Sequence, residues 1–417
     1  MKNKPIALLL SAVVCFGMMA GCQSSELRAY SDKPSPEASA TQAAKDYTPC
    51  YKSFDSDELM LTVDGIEINW DELFYWYFTD VSNMENYLGE ITDWDAASAF
   101  DPEKTTREYV TENALSIVKH YCALQSRAAA EGVALTDKDK EDLKALWDQN
   151  VASSGGGDEE AFEEYLEKAF LTKDIYNHVN EVSVLYGHML EKTYGENGEK
   201  IDEAELLKNA ADMGYMRAKH ILLTTTDDTG AALPEDKIAE KRATAEKLLA
   251  ELKAISDPAA REKRFDELVA ANSEDPGAKY YVDGYTFLPG AMVPEFESAV
   301  TALGNNEMSE IVQSEHGFHI ILRLPLSAKA AVEYTGESTS ISLGSSIAQD
   351  MFAKLTETWA SESKVEFTKA YDKIDLEKIF AKAKPAETPK PTATPEATAA
   401  PEPTSVPEPT TAPTPAA

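Results

Sequence analysis

Cationic side chains are scarce: 39 Lys plus Arg stand against 73 Asp plus Glu in 417 residues, a formal net charge of −34. That balance argues against nucleic acid as a partner, because phosphate recognition rests on clustered cations that release counterions. Cysteine is sparse too, and four in a chain this long cannot build a disulfide scaffold. Cys15 and Cys22 lie in the N-terminal segment, while Cys50 and Cys122 leave two readings open, a disulfide in an oxidising exterior or two unrelated thiols. Long apolar runs are also missing: Pro5 to Ala20 is too short to read as a membrane span. There is no Gly-x-Ser-x-Gly elbow, and Gly155-Gly156-Gly157 runs into Asp158-Glu159-Glu160, which would repel phosphate. His316 and His319 have no further His or Cys nearby to complete a metal set, so neither a metal nor a cofactor is expected. Stability must come from packed cores, and the length allows two or three domains.

What is present begins with a charged start, Lys2 and Lys4, followed by the uncharged run and by Ala20-Gly21-Cys22. This is the order of an export signal over residues 1–21. Met19-Ala20-Gly21-Cys22 resembles the lipobox of bacterial lipoproteins, with Met19 in place of the usual leucine. The resemblance implies lipidation of Cys22 and a place on the extracytoplasmic face of the membrane; an ordinary secretory signal is the alternative, and export is common to both. Residues 22–55 are rich in Ser, Ala, Pro, Asp and Lys and read as a flexible tether. Residues 385–417 hold 10 of the 21 prolines, interleaved with Thr, Ala and Glu, and read as a disordered tail.

Most of the acidic excess falls in residues 56–214. Apolar residues flank Asp64-Gly65, a hairpin signal between short strands. Asn69 is then expected to cap a helix carrying Trp70, Leu73, Phe74, Tyr77 and Phe78, and a second helix is predicted around residues 104–131. Thr136 with Asp139, Asp158, and Asp202 with Glu205 mark further helix starts. The segment reads as a mostly helical arm with a solvated acidic face. Residues 215–325 change to an α/β pattern in the order β-α-α-α-β, with strands at Met216–Leu223 and Phe318–Leu324. Residues 326–384 carry an amphipathic helix over 343–362 and shorter pieces that cannot form a core alone, so they are expected to pack back onto the arm.

The chemistry-bearing residues cluster in 215–325. His220 lies inside the apolar strand Ala218-Lys219-His220-Ile221-Leu222-Leu223, and His319 inside His316-Gly317-Phe318-His319-Ile320-Ile321. A lone His on a strand is usually a satisfied core residue; two invite a question. Between them lie Ser273-Glu274-Asp275-Pro276-Gly277-Ala278 and Phe287-Leu288-Pro289-Gly290-Ala291-Met292-Val293-Pro294-Glu295-Phe296. In this order and spacing the set resembles the parvulin family of peptidyl-prolyl isomerases over Tyr215–Leu324. The resemblance implies that His220 and His319 form the floor of the site, with Asp275 at the acid-or-thiol position. Ser314 would support the histidines, and Phe287, Met292 and Phe296 would line a proline pocket. One segment departs: where many parvulins read Gly-Gly-Asp-Leu-Gly-Trp-Phe, this chain has Tyr281-Val282-Asp283-Gly284-Tyr285-Thr286-Phe287. The loop after the first strand, Thr224 to Thr229, has no cation to pair with a phosphate, so phospho-specificity is not expected.

The whole order, anchor, arm, parvulin-like domain and returning helices, looks like the PrsA foldase lipoproteins and the related SurA chaperones. The fold expected is α+β, with the α/β domain inserted in a mainly helical chaperone domain. The function expected is a membrane-tethered extracytoplasmic foldase that isomerises X-Pro bonds in unfolded exported proteins and holds such clients. The alternative is a holdase whose parvulin domain is a catalytically weak client cradle.

Overall fold

The computed structural model describes residues 45–334 and 340–386. The signal segment, Cys22, most of the tether, and tail residues 387–417 lie outside the described residues.

The arm opens with a hairpin, β1 (Leu59–Val63) and β2 (Ile66–Asn69). Asp64 (φ 51°) and Gly65 (φ 85°) take the two left-handed positions of the turn that matches strand twist. Helix α1 (Trp70–Leu88) follows, with Leu73 through Tyr77 buried in succession. A stretch of helix buried on every side runs through the centre of its unit, while the last turn, with Tyr87 and Leu88, is exposed. Asn69 occupies the cap position but makes no side-chain cap bond. The preceding loop supplies the acceptors instead: Trp70 N–H donates to Glu58 O (2.9 Å) and Asp71 N–H to Ser56 O (3.0 Å). Next come α2 (Thr106–Ala130), α3 (Asp137–Ser154), α4 (Glu159–Glu167), α5 (Lys173–Tyr194) and α6 (Glu203–Asp212). Thr136 and Asp139 form a reciprocal capping box, and Asp158 and Asp202 accept from the first-turn amides of their helices.

The α/β unit contains β3 (Met216–Thr224), α7 (Glu235–Lys253), α8 (Pro258–Asn272), β4 (Tyr285–Phe287), α9 (Pro294–Ala302), β5 (Val312–Ser314) and β6 (Gly317–Leu324). The expected β-α-α-α-β order is thus incomplete. β4 and β5 are three residues each, too short to display an alternating pattern in sequence. The sheet is antiparallel in the order β4-β3-β6-β5. Ile221, Ile320, Leu322 and Leu324 pack against Leu248, Leu249 and Leu252 of α7 and Phe265 and Leu268 of α8. The opposite face, with Met216, Ala218 and Ile321, packs against Phe296 and Val300 of α9.

The chain then returns through β7 (Ala331–Tyr334), β8 (Ser340–Ser342), α10 (Leu343–Glu362), β9 (Val365–Phe367) and α11 (Leu376–Phe380). β9 adds to the hairpin, pairing Val365 with Val63 and Phe367 with Leu61. Phe352 of α10 joins Leu124, Val182 and Met189 in one core. The folded chain also starts earlier than the tether boundary predicted near residue 55. Lys45–Asp46 pairs with Lys384–Pro385, and Cys50 is wholly buried in the core that includes Leu376 and Phe380. Tyr47, Tyr51 and Phe54 pack against that core, and the polar residues between them hide the pattern in sequence. Cys50 and Cys122 are both free and buried. Burial pushes their thiols up to about 11 and about 12. Among the described residues no helix is long and apolar enough to cross a membrane.

Candidate active site

In an antiparallel pair, directly opposed residues share a face, and so do residues two apart on one strand. Leu222 of β3 faces His319 of β6, and His220 faces Ile321. His220 and His319 are therefore diagonal neighbours on the face that α9 only partly covers. Gly317 (φ 145°) permits this register: a Cβ there would lie 2.2 Å from Leu223 O.

The two Nδ1 atoms are 3.0 Å apart, and the ring planes are nearly parallel, at 12°. His220 Nε2 lies 2.9 Å from Asp275 Oδ2, and His319 Nε2 lies 2.7 Å from Ser314 Oγ. One assignment of protons satisfies every contact with both rings neutral. Ser314 O–H donates to His319 Nε2, His319 Nδ1–H to His220 Nδ1, and His220 Nε2–H to the Asp275 carboxylate. Ser314 Oγ in turn accepts from His316 N–H at 3.1 Å. Burial alone would push the Asp275 carboxyl up; donors from His220, Tyr285 and Gly277 override it and bring it down to about 2. Burial brings His319 down to about 4, and the neighbouring His220 acts in the same direction. Every ring nitrogen of the pair has a partner, an arrangement suited to holding a shape and a field.

The apolar side of the site is aromatic. Phe296 of α9 stands edge-on to His220 (5.1 Å, 82°) and to His319 (5.8 Å, 70°), and Phe287 of β4 lies 6.0 Å from Phe296. Phe296 and Phe287 are buried, whereas Met292, in the turn before α9, is half-exposed. Arg323 fixes α9 from below, its Nη1 donating to Val300 O (2.9 Å) and Leu303 O (2.6 Å) at the helix end. Every sequence-predicted residue of the set except Cys22 thus falls in one neighbourhood. Cys22 lies outside the described residues.

Tyr285 was not among the expected residues, yet its phenol donates to Asp275 Oδ2 at 2.5 Å and its ring meets His220 edge-on at 5.6 Å. The signal was its place two residues before Phe287 on a strand too short to be read. Burial and the Asp275 charge push this phenol's pKa up. The loop after β3 closes on its own acid: Asp227 Oδ1 accepts from the Thr229 and Ala231 amides.

A crevice of about 1040 Å³ opens beside the site, between the α/β unit and the arm. Tyr285, Phe287 and Met292 wall one side, with Tyr121, Val182 and Tyr186 of the arm opposite. Neither His220 nor His319 lines it, and His319 is only 2% exposed. Among the described residues no cluster of His, Cys, Asp and Glu could hold a metal ion.

Residues 220–324 match the rotamase model of the PPIC-type PPIase domain. The chain is 25% identical over 286 residues to the foldase protein PrsA of Caldanaerobacter subterraneus subsp. tengcongensis, covering 67% of this chain and 78% of that protein. It is 36% identical over 112 residues to the peptidyl-prolyl cis-trans isomerase Pin1 of Malus domestica, covering 26% of this chain and 92% of that one. With the chaperone SurA of Nitrosospira multiformis it shares 37% identity over 25% of this chain and only 24% of that one. The crystal structure of PrsA from Bacillus cereus is 17% identical over 74% of this chain and 87% of that chain, with a TM-score of 0.24. The match to the PPIC-type domain model and the sequence likeness to Pin1 and PrsA make the chain a member of the parvulin-type peptidyl-prolyl cis/trans isomerases, akin to the PrsA and SurA foldases.

Proposed function

We propose that the protein acts outside the cell, anchored through a lipidated Cys22, and isomerises X-Pro bonds in unfolded exported proteins while holding those chains in the crevice. The observation that carries this reading is continuity: the pocket wall formed by Phe287 and Met292 is also a wall of the crevice of about 1040 Å³. A client chain lying there would present its prolines to the site.

X-Pro rotation is slow because the amide must lose resonance, with a barrier of about 18–20 kcal/mol. No nucleophile is needed. An apolar wall that grips the pyrrolidine ring and excludes water disfavours the planar, polar amide and favours the twisted form. A thousandfold acceleration asks for only about 4 kcal/mol of differential binding. In this reading Phe287, Met292 and Phe296 bind the ring, while His220, His319, Asp275 and Ser314 form a rigid hydrogen-bonded floor.

A second reading, a holdase with a weak or silent parvulin domain, draws support from Tyr285, which stands where the family pattern has glycine and sets a phenol ring against His220. A proline-peptide assay on the purified protein separates the two, with suppression of aggregation of an unfolded client measured alongside. For the anchor, Cys22→Ser should release the protein from the membrane fraction; retention there would refute lipidation.

A further inference from the structure

We propose that Tyr285 is a positioning residue: it holds the Asp275 carboxylate onto His220 and so fixes the direction of the hydrogen-bond chain through both imidazoles. Its effect on catalysis rests on the isomerase reading above; its effect on the histidines does not.

Two donors converge on one oxygen. Asp275 Oδ2 accepts from Tyr285 Oη at 2.5 Å and from His220 Nε2 at 2.9 Å, while Oδ1 accepts from Gly277 N–H at 3.0 Å. The carboxylate is thereby clamped in one rotamer with its charge-bearing oxygen aimed at the imidazole. Tyr285 is itself clamped. Its ring stacks on Tyr281 (4.4 Å, 24°), which meets Tyr334 edge-on at 4.7 Å, and the edge of His220 closes the other side. The turn below has room for the phenol only because residue 277 is glycine: a Cβ there would lie 2.1 Å from Tyr285 Oη. The register sets the direction, since Tyr285 pairs with Ala218, two residues from His220 on the same face. The hydroxyl is therefore a group this chain adds where the family pattern has a glycine.

The groups around Asp275 are few. The sheet contributes His220 and, through it, His319; the β4 segment contributes Tyr285 and Tyr281; the turn before β6 carries His316. Glu274, next along the chain, is paired with Lys241 of α7 and bonded to Thr224. Tyr285 is thus the neutral donor that shares Oδ2 with His220. Without it the carboxylate turns more freely, and His220 Nε2–H loses a fixed acceptor.

The test is Tyr285→Phe, which keeps the ring. Nitrogen NMR of the imidazoles should show both rings changing from one tautomer to a mixture. On a proline peptide, kcat should fall about tenfold with KM within about twofold. The acid limb of kcat/KM should move up by about one pH unit, as expected when a carboxylate loses a donor. In an Asp275→Asn background the same change should add little. Gly277→Ala, which displaces the phenol without removing it, should give the same imidazole spectrum. Unchanged imidazole spectra together with an unmoved acid limb would overturn the proposal. A wild type that isomerises no peptide would instead overturn the isomerase reading, and the NMR comparison would still decide what Tyr285 does.

Discussion

His220 and His319 lie on adjacent antiparallel strands one diagonal step apart, and that offset brings their Nδ1 atoms to 3.0 Å. Neither ring can turn without breaking a bond at each end, to Asp275 on one side and to Ser314 on the other. The floor is a single hydrogen-bonded unit, with Phe296 standing edge-on to both rings.

Met292→Ala tests the pocket with little risk to the core, because Met292 is half-exposed. Isomerisation of a proline peptide should fall at least about tenfold, the loss expected for one apolar contact worth about 1.4 kcal/mol or more. Suppression of client aggregation should fall far less, because Tyr121, Val182 and Tyr186 of the arm still wall the crevice. Phe296→Ala in addition should abolish turnover, with melting followed because a buried Phe costs about 3–5 kcal/mol.

Ser314→Ala removes the hydroxyl that pairs with His319 inside the fold. Leaving that imidazole nitrogen without a partner should cost about 1–3 kcal/mol, read by denaturant melting. A loss below about 0.5 kcal/mol would mean that the floor is not the tight unit described above.

His319 couples stability to pH. Its folded-state value, about 4, is below the ordinary 6.5, so the unfolded chain binds more protons between those values. The stability it contributes is fully present above about 6.5 and is lost as pH falls toward 4. His319→Gln should flatten that slope in melts taken from pH 7 to pH 4.

Asp80, on α1, has the opposite sign. It is 8% exposed and accepts from Asn113 Nδ2 at 2.8 and 3.0 Å, yet burial raises it to about 7. The folded protein prefers the protonated form, so this stability is full below the unfolded value near 3.8 and is lost as pH rises through about 7. Asp80→Asn should raise the melting temperature at pH 8 more than at pH 5. An equal shift at both would refute the assignment.

The sequence made the helix starts legible because capping is a local event: Thr136 with Asp139, and Asp202 with Glu205, announce themselves within four residues. The histidine pair was legible only as two strands with the right neighbours. Its geometry depends on a register that Gly317 permits and that no local pattern encodes. Tyr285 was missed for the same reason, since it acts through Asp275, ten residues earlier. Asn69 shows the converse: the residue suits a cap, but Glu58 and Ser56 had already taken the amides. The early start of the folded chain was hidden because Tyr47 and Cys50 find their partners near Phe380, at the far end of the domain.

The arm's acidity offers a weaker handle. Capture of a cationic unfolded client should slow severalfold between low and physiological salt, since the Debye length shrinks to about 8 Å at 0.15 M. Indifference to salt would show that the field plays no part.

The most direct measurement is the rate of cis-to-trans conversion of a proline-containing peptide with the purified protein, against buffer and against the Met292→Ala variant. The wild-type rate should be well above the spontaneous one, with most of the gain lost in the variant. A wild-type rate equal to buffer, in a protein that still keeps an unfolded client soluble, would contradict the isomerase reading.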